Sequence, residues 1–191
     1  PALKQLQPRF EAATGHRLSM SVGSTGKLYA QIHAGAPYDV LLAADQERPL
    51  LLEQEGRTVE RFAYAEGRLV LWHARANAET TDAPLELLRA GRFSRLVMAN
   101  PKLAPYGAAA ESTLNTLGLS EGVADRLVFG ENLGQAHAML ATGNAELGFT
   151  ALAYLRATPS QQPQRFWEVP AALHEPIRQE AVWLRRAEDN L

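Results

Sequence analysis

Ser24 and Thr25 place two hydroxyl groups in a turn of small residues, where a predicted strand ends and a predicted helix begins. Gly23 and Gly26 flank them and permit backbone angles that a side chain would disfavour. Ser24 is a suitable N-cap residue. The first amides of a helix have no partner within it, and the helix dipole favours an anion at that end. The turn therefore predicts either an ordinary capped helix or an anion site made of neutral donors.

The same turn lacks two motifs that it superficially resembles. A nucleotide-binding P-loop needs a serine or threonine after its lysine, and Leu28 follows Lys27 here. A nucleophilic serine in a strand-to-helix turn needs the pattern Gly-x-Ser-x-Gly, and Val22 occupies the first glycine position. Neither nucleotide binding nor acyl transfer is expected at this turn.

Two further strand-to-helix turns combine neutral residues, one at residues 105–107 around Tyr106 and one at residues 131–134 with Asn132 and Leu133. Ligands of α/β sheets bind beyond the carboxyl ends of the strands, where the following helices begin. If the three turns converge, backbone N–H groups and hydroxyls form a pocket of donors without a cation. Such a pocket suits an oxyanion.

The other groups that could do chemistry are isolated in the sequence. The five histidines lack any paired metal-ligand spacing, so we predict no metal held directly by side chains; they are His16, His33, His73, His137 and His174. Asp39 and Asp45 flank a predicted strand, and Asp45 is better explained as a helix cap. Because no acid and base are paired, we predict that the protein is not an enzyme and needs no cofactor.

Composition limits the possible partners. The 191 residues are 46% hydrophobic and 21% charged, which is ordinary for a globular protein large enough for two small lobes. A formal net charge of −2 gives no reason to expect a nucleic-acid partner. The absence of cysteine excludes disulfides and thiolate metal sites.

The chain alternates predicted strands and helices, which predicts an α/β architecture with mainly parallel sheets. A helix over residues 3–13 ends at Gly15, although Pro8 should bend it or delay its start. Alternating apolar residues predict a strand over residues 18–22. Further strands are predicted at residues 38–44, 68–73, 96–99, 126–129, 146–152, 166–169 and 180–184. A change of composition over residues 75–81 predicts a crossover between two lobes.

Six segments in the same order carry a family resemblance. They are FEAATGH (10–16), GSTGKLYAQI (23–32), GAPYDVLLAAD (35–45), NPKLAPYG (100–107), GENLGQA (130–136) and GNAELGF (143–149). Together they resemble the periplasmic molybdate-binding proteins of ABC importers, which are type II periplasmic binding proteins. The resemblance implies two α/β lobes with an inter-lobe cleft: residues 1–74 plus 174–191 as lobe I, and residues 75–173 as lobe II. It also implies that the first strand and last helix of the family lie outside this sequence.

The resemblance implies three oxyanion-binding residues. Ser24 matches a serine that binds through its hydroxyl and amide, and Tyr106 and Leu133 match positions that bind through their backbone N–H groups. Thr25 and Asn132 are additional candidates. Some members of the family add a tyrosine hydroxyl at the position of Ala151. That contact is therefore absent here, or Tyr106 replaces it from the other side.

The implied function is high-affinity binding of molybdate or tungstate outside the cytoplasm. The receptor would deliver the ion to the membrane permease of an ABC importer. The resemblance also implies a monomer in the periplasm, or a membrane-anchored extracellular protein in a host without a periplasm. Two alternatives stay open: a receptor for sulfate or another oxyanion, and a ligand-sensing effector domain of a transcription regulator.

Overall fold

The computed structural model describes residues 2–75, 82–157 and 165–188. The strands in this part of the chain are β1 (Val40–Leu42), β2 (Thr58–Gly67), β3 (Leu69–His73), β4 (Leu96–Ala99), β5 (Leu127–Gly130), β6 (Leu147–Ala151), β7 (Arg165–Glu168) and β8 (Ile177–Leu184). They form a three-stranded sheet of order β1-β8-β2 and a five-stranded sheet of order β5-β4-β6-β3-β7. The two sheets define the two lobes.

Helices cover both sheets. They are α1 (Ala2–Thr14), α2 (Thr25–His33), α3 (Glu47–Gln54), α4 (Pro84–Ala90), α5 (Pro105–Thr116), α6 (Ser120–Val123), α7 (Leu133–Ala141) and α8 (Leu152–Ala157). In the first lobe α3 packs on β2 and β8, and α2 packs on α3. In the second lobe α4, α5, α7 and α8 pack on the five-stranded sheet. No helix among the described residues combines the length and apolarity needed to cross a bilayer.

Each lobe has its own apolar core. The core of the first lobe contains Ile32, Leu41, Leu52, Val182 and Leu184, all at most 6% exposed. The larger core of the second lobe forms where β3, β4 and β6 meet α4 and α5. Because β4 and β6 are buried on both faces, every one of their side chains is enclosed. Helices α5 and α7 both pack against these two strands.

The two-lobe α/β fold is confirmed, but the described sheets are mixed rather than mainly parallel. Only β4–β5 and β4–β6 are parallel pairs in this part of the chain, whereas the three-stranded sheet is wholly antiparallel. The reason is the path between lobes. The chain leaves the first lobe through β2 and β3 and returns through β7 and β8. The outgoing and returning strands therefore run in opposite directions.

The predicted boundary after residue 74 is wrong for residues 69–73. Strand β3 pairs with β6 and β7 and therefore belongs to the second lobe. Arg68, which joins β2 to β3, is where the chain changes sheet. The predicted crossover at 75–81 lies mostly outside the described residues. The return to the first sheet falls at residues 169–176, between β7 and β8.

The strand predicted at residues 18–22 is not formed. This stretch has no regular structure, and Val22 is 81% exposed. Apolar and polar residues do alternate in this stretch. A strand also needs a hydrogen-bonded neighbour, however, and no described strand pairs with it. Helix α1 runs through Pro8 and leaves Leu3, Leu6 and Phe10 more than 40% exposed.

Candidate oxyanion site

Ser24 is the N-cap residue of α2 and is only 4% exposed. Its side chain makes no capping hydrogen bond, and its Oγ atom is buried without a partner among the described residues. A buried hydroxyl is almost always hydrogen-bonded, because leaving it unpaired costs about 1–3 kcal/mol. Ser24 therefore offers a hydroxyl donor beside the free amides of a helix start.

Thr25 is buried behind Ser24 as the first residue of α2. Its Oγ1 accepts a hydrogen bond from the amide of Ala44, 3.1 Å away and just beyond β1. This bond fixes the start of α2 against the end of the strand. Because a hydroxyl also carries one proton, Thr25 can still donate to a ligand.

Helix α5 begins at Pro105 and continues with Tyr106, which is 7% exposed. Proline has no N–H group, so the first amide that this helix can offer is that of Tyr106. The next two amides, of Gly107 and Ala108, both donate to the carbonyl of Ala104. The amide of Tyr106 is therefore available for a ligand at the start of α5, and its role in binding stays a prediction.

Helix α7 begins at Leu133, after the N-cap residue Asn132. The Oδ1 atom of Asn132 accepts the amide of Gln135 at 2.9 Å and so caps the helix. This cap leaves the amides of Leu133 and Gly134 at the open end of the helix. The amide of Leu133 is therefore available for a ligand at the start of α7, whereas the oxygen of Asn132 is used within the helix.

Two contacts bring the three helix starts together across the lobes. The amide of Gly26 in α2 donates to the carbonyl of Leu103, 3.2 Å away in the loop before α5. The ammonium of Lys27 lies 2.9 Å from a carboxylate oxygen of Glu131, in the turn before α7. The donors of Ser24, Tyr106 and Leu133 thus belong to turns that meet in the structure.

The hydroxyl of Tyr106 belongs to a second network, toward the strands that join the lobes. It accepts a hydrogen bond from Nε2 of Gln179 at 3.1 Å, and the hydroxyl of Tyr64 donates to Oε1 of the same glutamine at 3.0 Å. Burial raises the pKa of Tyr106 to about 12, which keeps it a neutral hydroxyl. Tyr64 and Gln179 were not predicted, because no sequence motif marks them.

An aromatic stack supports the start of α7. The ring of His137 lies between Trp72 and Tyr154, with ring centroids 5.4 Å and 4.5 Å away. Its Nδ1 is 3.2 Å from the hydroxyl oxygen of the fully buried Thr150. Burial lowers the pKa of His137 and so favours the neutral ring.

Ala151 ends β6 and has no hydroxyl to offer, as expected from the sequence. Tyr154, three residues after Ala151, lies close to the start of α7. The hydroxyl of Tyr154 is 3.2 Å from the position that a Cβ atom on Gly134 would occupy, over the first turn of α7.

Within the described residues, no group of three or more His, Cys, Asp and Glu side chains is arranged to hold a metal ion.

The whole chain is similar to known solute-binding proteins. The model of the bacterial extracellular solute-binding protein family matches residues 1–190. The molybdate-binding protein ModA of Azotobacter vinelandii is 47% identical over 190 residues, covering 98% of this chain and 75% of that protein. ModA of Rhodobacter capsulatus is 38% identical, over 97% of this chain and 73% of that protein.

A solved structure supports the same assignment. The periplasmic molybdate-binding protein of Azotobacter vinelandii superimposes with a TM-score of 0.89 at 38% identity, covering 98% of this chain and 84% of that one. The chain therefore belongs to the ModA family of bacterial extracellular solute-binding proteins.

Proposed function

We propose that this protein is an extracytoplasmic receptor that holds molybdate or tungstate between its lobes and presents it to the permease of an ABC importer. The observation that carries the proposal is the buried, unpartnered hydroxyl of Ser24 at the start of α2. The turns of Tyr106 and Leu133 meet this helix start across the lobes. The names of two similar relatives, both molybdate-binding proteins, supply the choice of ion.

The proposed ligands are the hydroxyl and amide of Ser24 and the amides of Tyr106 and Leu133, with the hydroxyl of Thr25 as an additional donor. Hydrogen bonds to a charged acceptor are worth about 1.5–3 kcal/mol each. Neutral donors can therefore hold a dianion without a cation. A site made of donors disfavours hydrogen phosphate, whose proton needs an acceptor.

Binding would proceed by lobe closure, because donors on both lobes are satisfied together only when the ion lies between them. We place the lobe boundaries at Arg68 and within residues 169–176, where the chain passes between the sheets. No bond is made or broken in this function. We propose a monomer in the periplasm, or anchored outside the membrane in a host without a periplasm.

Isothermal titration calorimetry with molybdate, tungstate, sulfate and phosphate tests the proposal. We expect one-to-one binding of molybdate and tungstate, weakened about 10- to 100-fold by Ser24→Ala, since one charge-assisted hydrogen bond is lost. The matched control is Ser21→Ala, because Ser21 is exposed in the same segment. Binding of sulfate in preference to molybdate would change the ion and keep the site. Absence of oxyanion binding would overturn the proposal and favour an effector domain.

A further inference from the structure

The side chain of Tyr106 reaches from the second lobe to both strands that connect the lobes. Its hydroxyl accepts the hydrogen bond from Gln179 on β8. The same hydroxyl lies beside Gly67, the last residue of β2. A Cβ atom on Gly67 would lie 2.3 Å from the Oη of Tyr106 and 2.7 Å from its Cζ. Because Gly67 has no side chain, the tyrosine can approach the backbone of the connecting strand this closely.

This contact lies at the pivot between the lobes. Gly67 directly precedes Arg68, where the chain passes to the second sheet. Opposite it in the sheet, Gly67 pairs with Ile177, the first residue of β8, and Ala65 pairs with Gln179. When two lobes rotate about their connecting strands, contacts near the pivot move least and bear directly on the angle of closure.

We propose that the Tyr106 side chain is the stop that ends lobe closure, and that it thereby makes the cleft select oxyanions by size. This inference rests on the function proposed above. Close-packed protein groups have low compressibility. Closure ends when the ring of Tyr106 meets the backbone at Gly67, which leaves a fixed width between Ser24 on one side and Leu133 on the other.

Gln179 is a positioning residue in this arrangement. The hydroxyl of Tyr64 donates to its Oε1, which turns its Nε2 toward Tyr106. The hydroxyl of Tyr64 also lies 3.2 Å from the carbonyl of Ala43, two residues before Asp45. Tyr106 therefore contacts the first lobe at Gly67 of β2 and at Gln179 of β8. Tyr64 links Gln179 to Ala43, the residue that follows β1.

The test compares affinities for molybdate and for the smaller sulfate ion by calorimetry. Tyr106→Leu keeps the backbone amide but removes the stop, and we expect the ratio of the two affinities to fall at least tenfold. Tyr106→Phe removes only the bond to Gln179, and we expect two- to tenfold weaker molybdate binding. The control is Tyr38→Phe, because the Tyr38 hydroxyl bonds Gln31 within the first lobe. An unchanged ratio in Tyr106→Leu would overturn the proposal.

A larger residue at position 67 gives an independent measurement of lobe closure. Gly67→Ala would place a methyl group against Tyr106, so we expect incomplete closure, seen as a larger radius of gyration in X-ray scattering at saturating molybdate. Adding Tyr106→Leu should restore compaction. Failure of that rescue in a folded double variant would contradict the stop, and if Gly67→Ala does not fold, the Tyr106 variants decide. Molybdate binding that is lost in Ser24→Ala, with unaltered selectivity in Tyr106→Leu, would reject the stop alone.

Discussion

Some residues of the candidate site have hydrogen-bond donors available for a ligand, whereas others hold a helix start in position. Ser24 and Asn132 are both N-cap residues, but only Asn132 caps its helix with its side chain. The hydroxyl of Ser24 is thereby left for a ligand, while the oxygen of Asn132 holds the first turn of α7 in shape. The sequence identified both residues correctly as helix starts. It could not assign their roles, because serine and asparagine have similar capping preferences.

Asn132→Ala should lower the free energy of unfolding by about 1 kcal/mol, because the amide of Gln135 loses its cap. Chemical denaturation measures the change, and Asn132→Ser should recover most of it. Asn144→Ala is the control, since Asn144 is exposed and bonds only the hydroxyl of Thr142 among the described side chains. Complete loss of molybdate binding at unchanged stability would instead make Asn132 a direct ligand.

The stacked ring of His137 should make stability depend on pH. Burial lowers its pKa in the folded protein, so below about pH 6.5 the unfolded chain takes up a proton that the folded protein resists. Stability is therefore lost as the pH falls through that range. His137→Phe should flatten the dependence in denaturation curves taken between pH 7.5 and 5.5. A matching loss of dependence in the exposed control His16→Phe would refute this origin.

At the scale of elements, the starts of α2 and α7 were predictable, whereas α5 begins at Pro105, within residues predicted as a turn, and strand β2 was not predicted. Local chemistry is compatible with the observed starts of α5 and α7: Pro105 fits a first helical turn, and Asn132 fits a cap. Strand β2 escaped prediction because register shifts on both sides of residues 60–63 break its alternation, and Phe62 and Tyr64 remain exposed. Residues 18–22 alternate well but have no described partner. Strand formation depends on neighbours that local patterns do not encode.

The ion pair between Lys27 and Glu131 should aid closure only weakly. Both side chains are about half exposed, and exposed pairs contribute roughly 0–1 kcal/mol. Glu131→Gln should therefore weaken molybdate binding less than about fivefold at low salt, and by less still at high salt. Titrations at two sodium chloride concentrations measure this. A loss as large as that of Ser24→Ala would mean that Glu131 orders the helix start itself.

At the scale of the whole molecule, two lobes share one ligand and are joined by two connections. The family resemblance predicted the number of lobes, but the predicted first connection lies later in the chain than the change of sheet at Arg68. The apolar sequence of β3 is compatible with a strand in either sheet. Its lobe is defined by its pairing with β6 and β7, which the sequence does not show.

Ligand binding should stabilise the folded protein as a unit. A ligand at 100 times its dissociation constant adds about 2.7 kcal/mol to the free energy of unfolding. For a protein of 191 residues this corresponds to a rise of about 5–10 °C in the midpoint of thermal unfolding. Scanning calorimetry at several molybdate concentrations checks it. A midpoint that does not move with concentration would contradict binding to the native state.

The hydrogen bond from the amide of Gly26 to the carbonyl of Leu103 joins the lobes through main-chain atoms alone. Because the acceptor is a backbone carbonyl, the bond does not itself require a particular side chain at position 103. Position 26 is not free in the same way, because a Cβ atom there would lie 3.3 Å from the carbonyl oxygen of Leu103. This main-chain contact between the lobes therefore restricts the residue type at position 26 more than that at position 103.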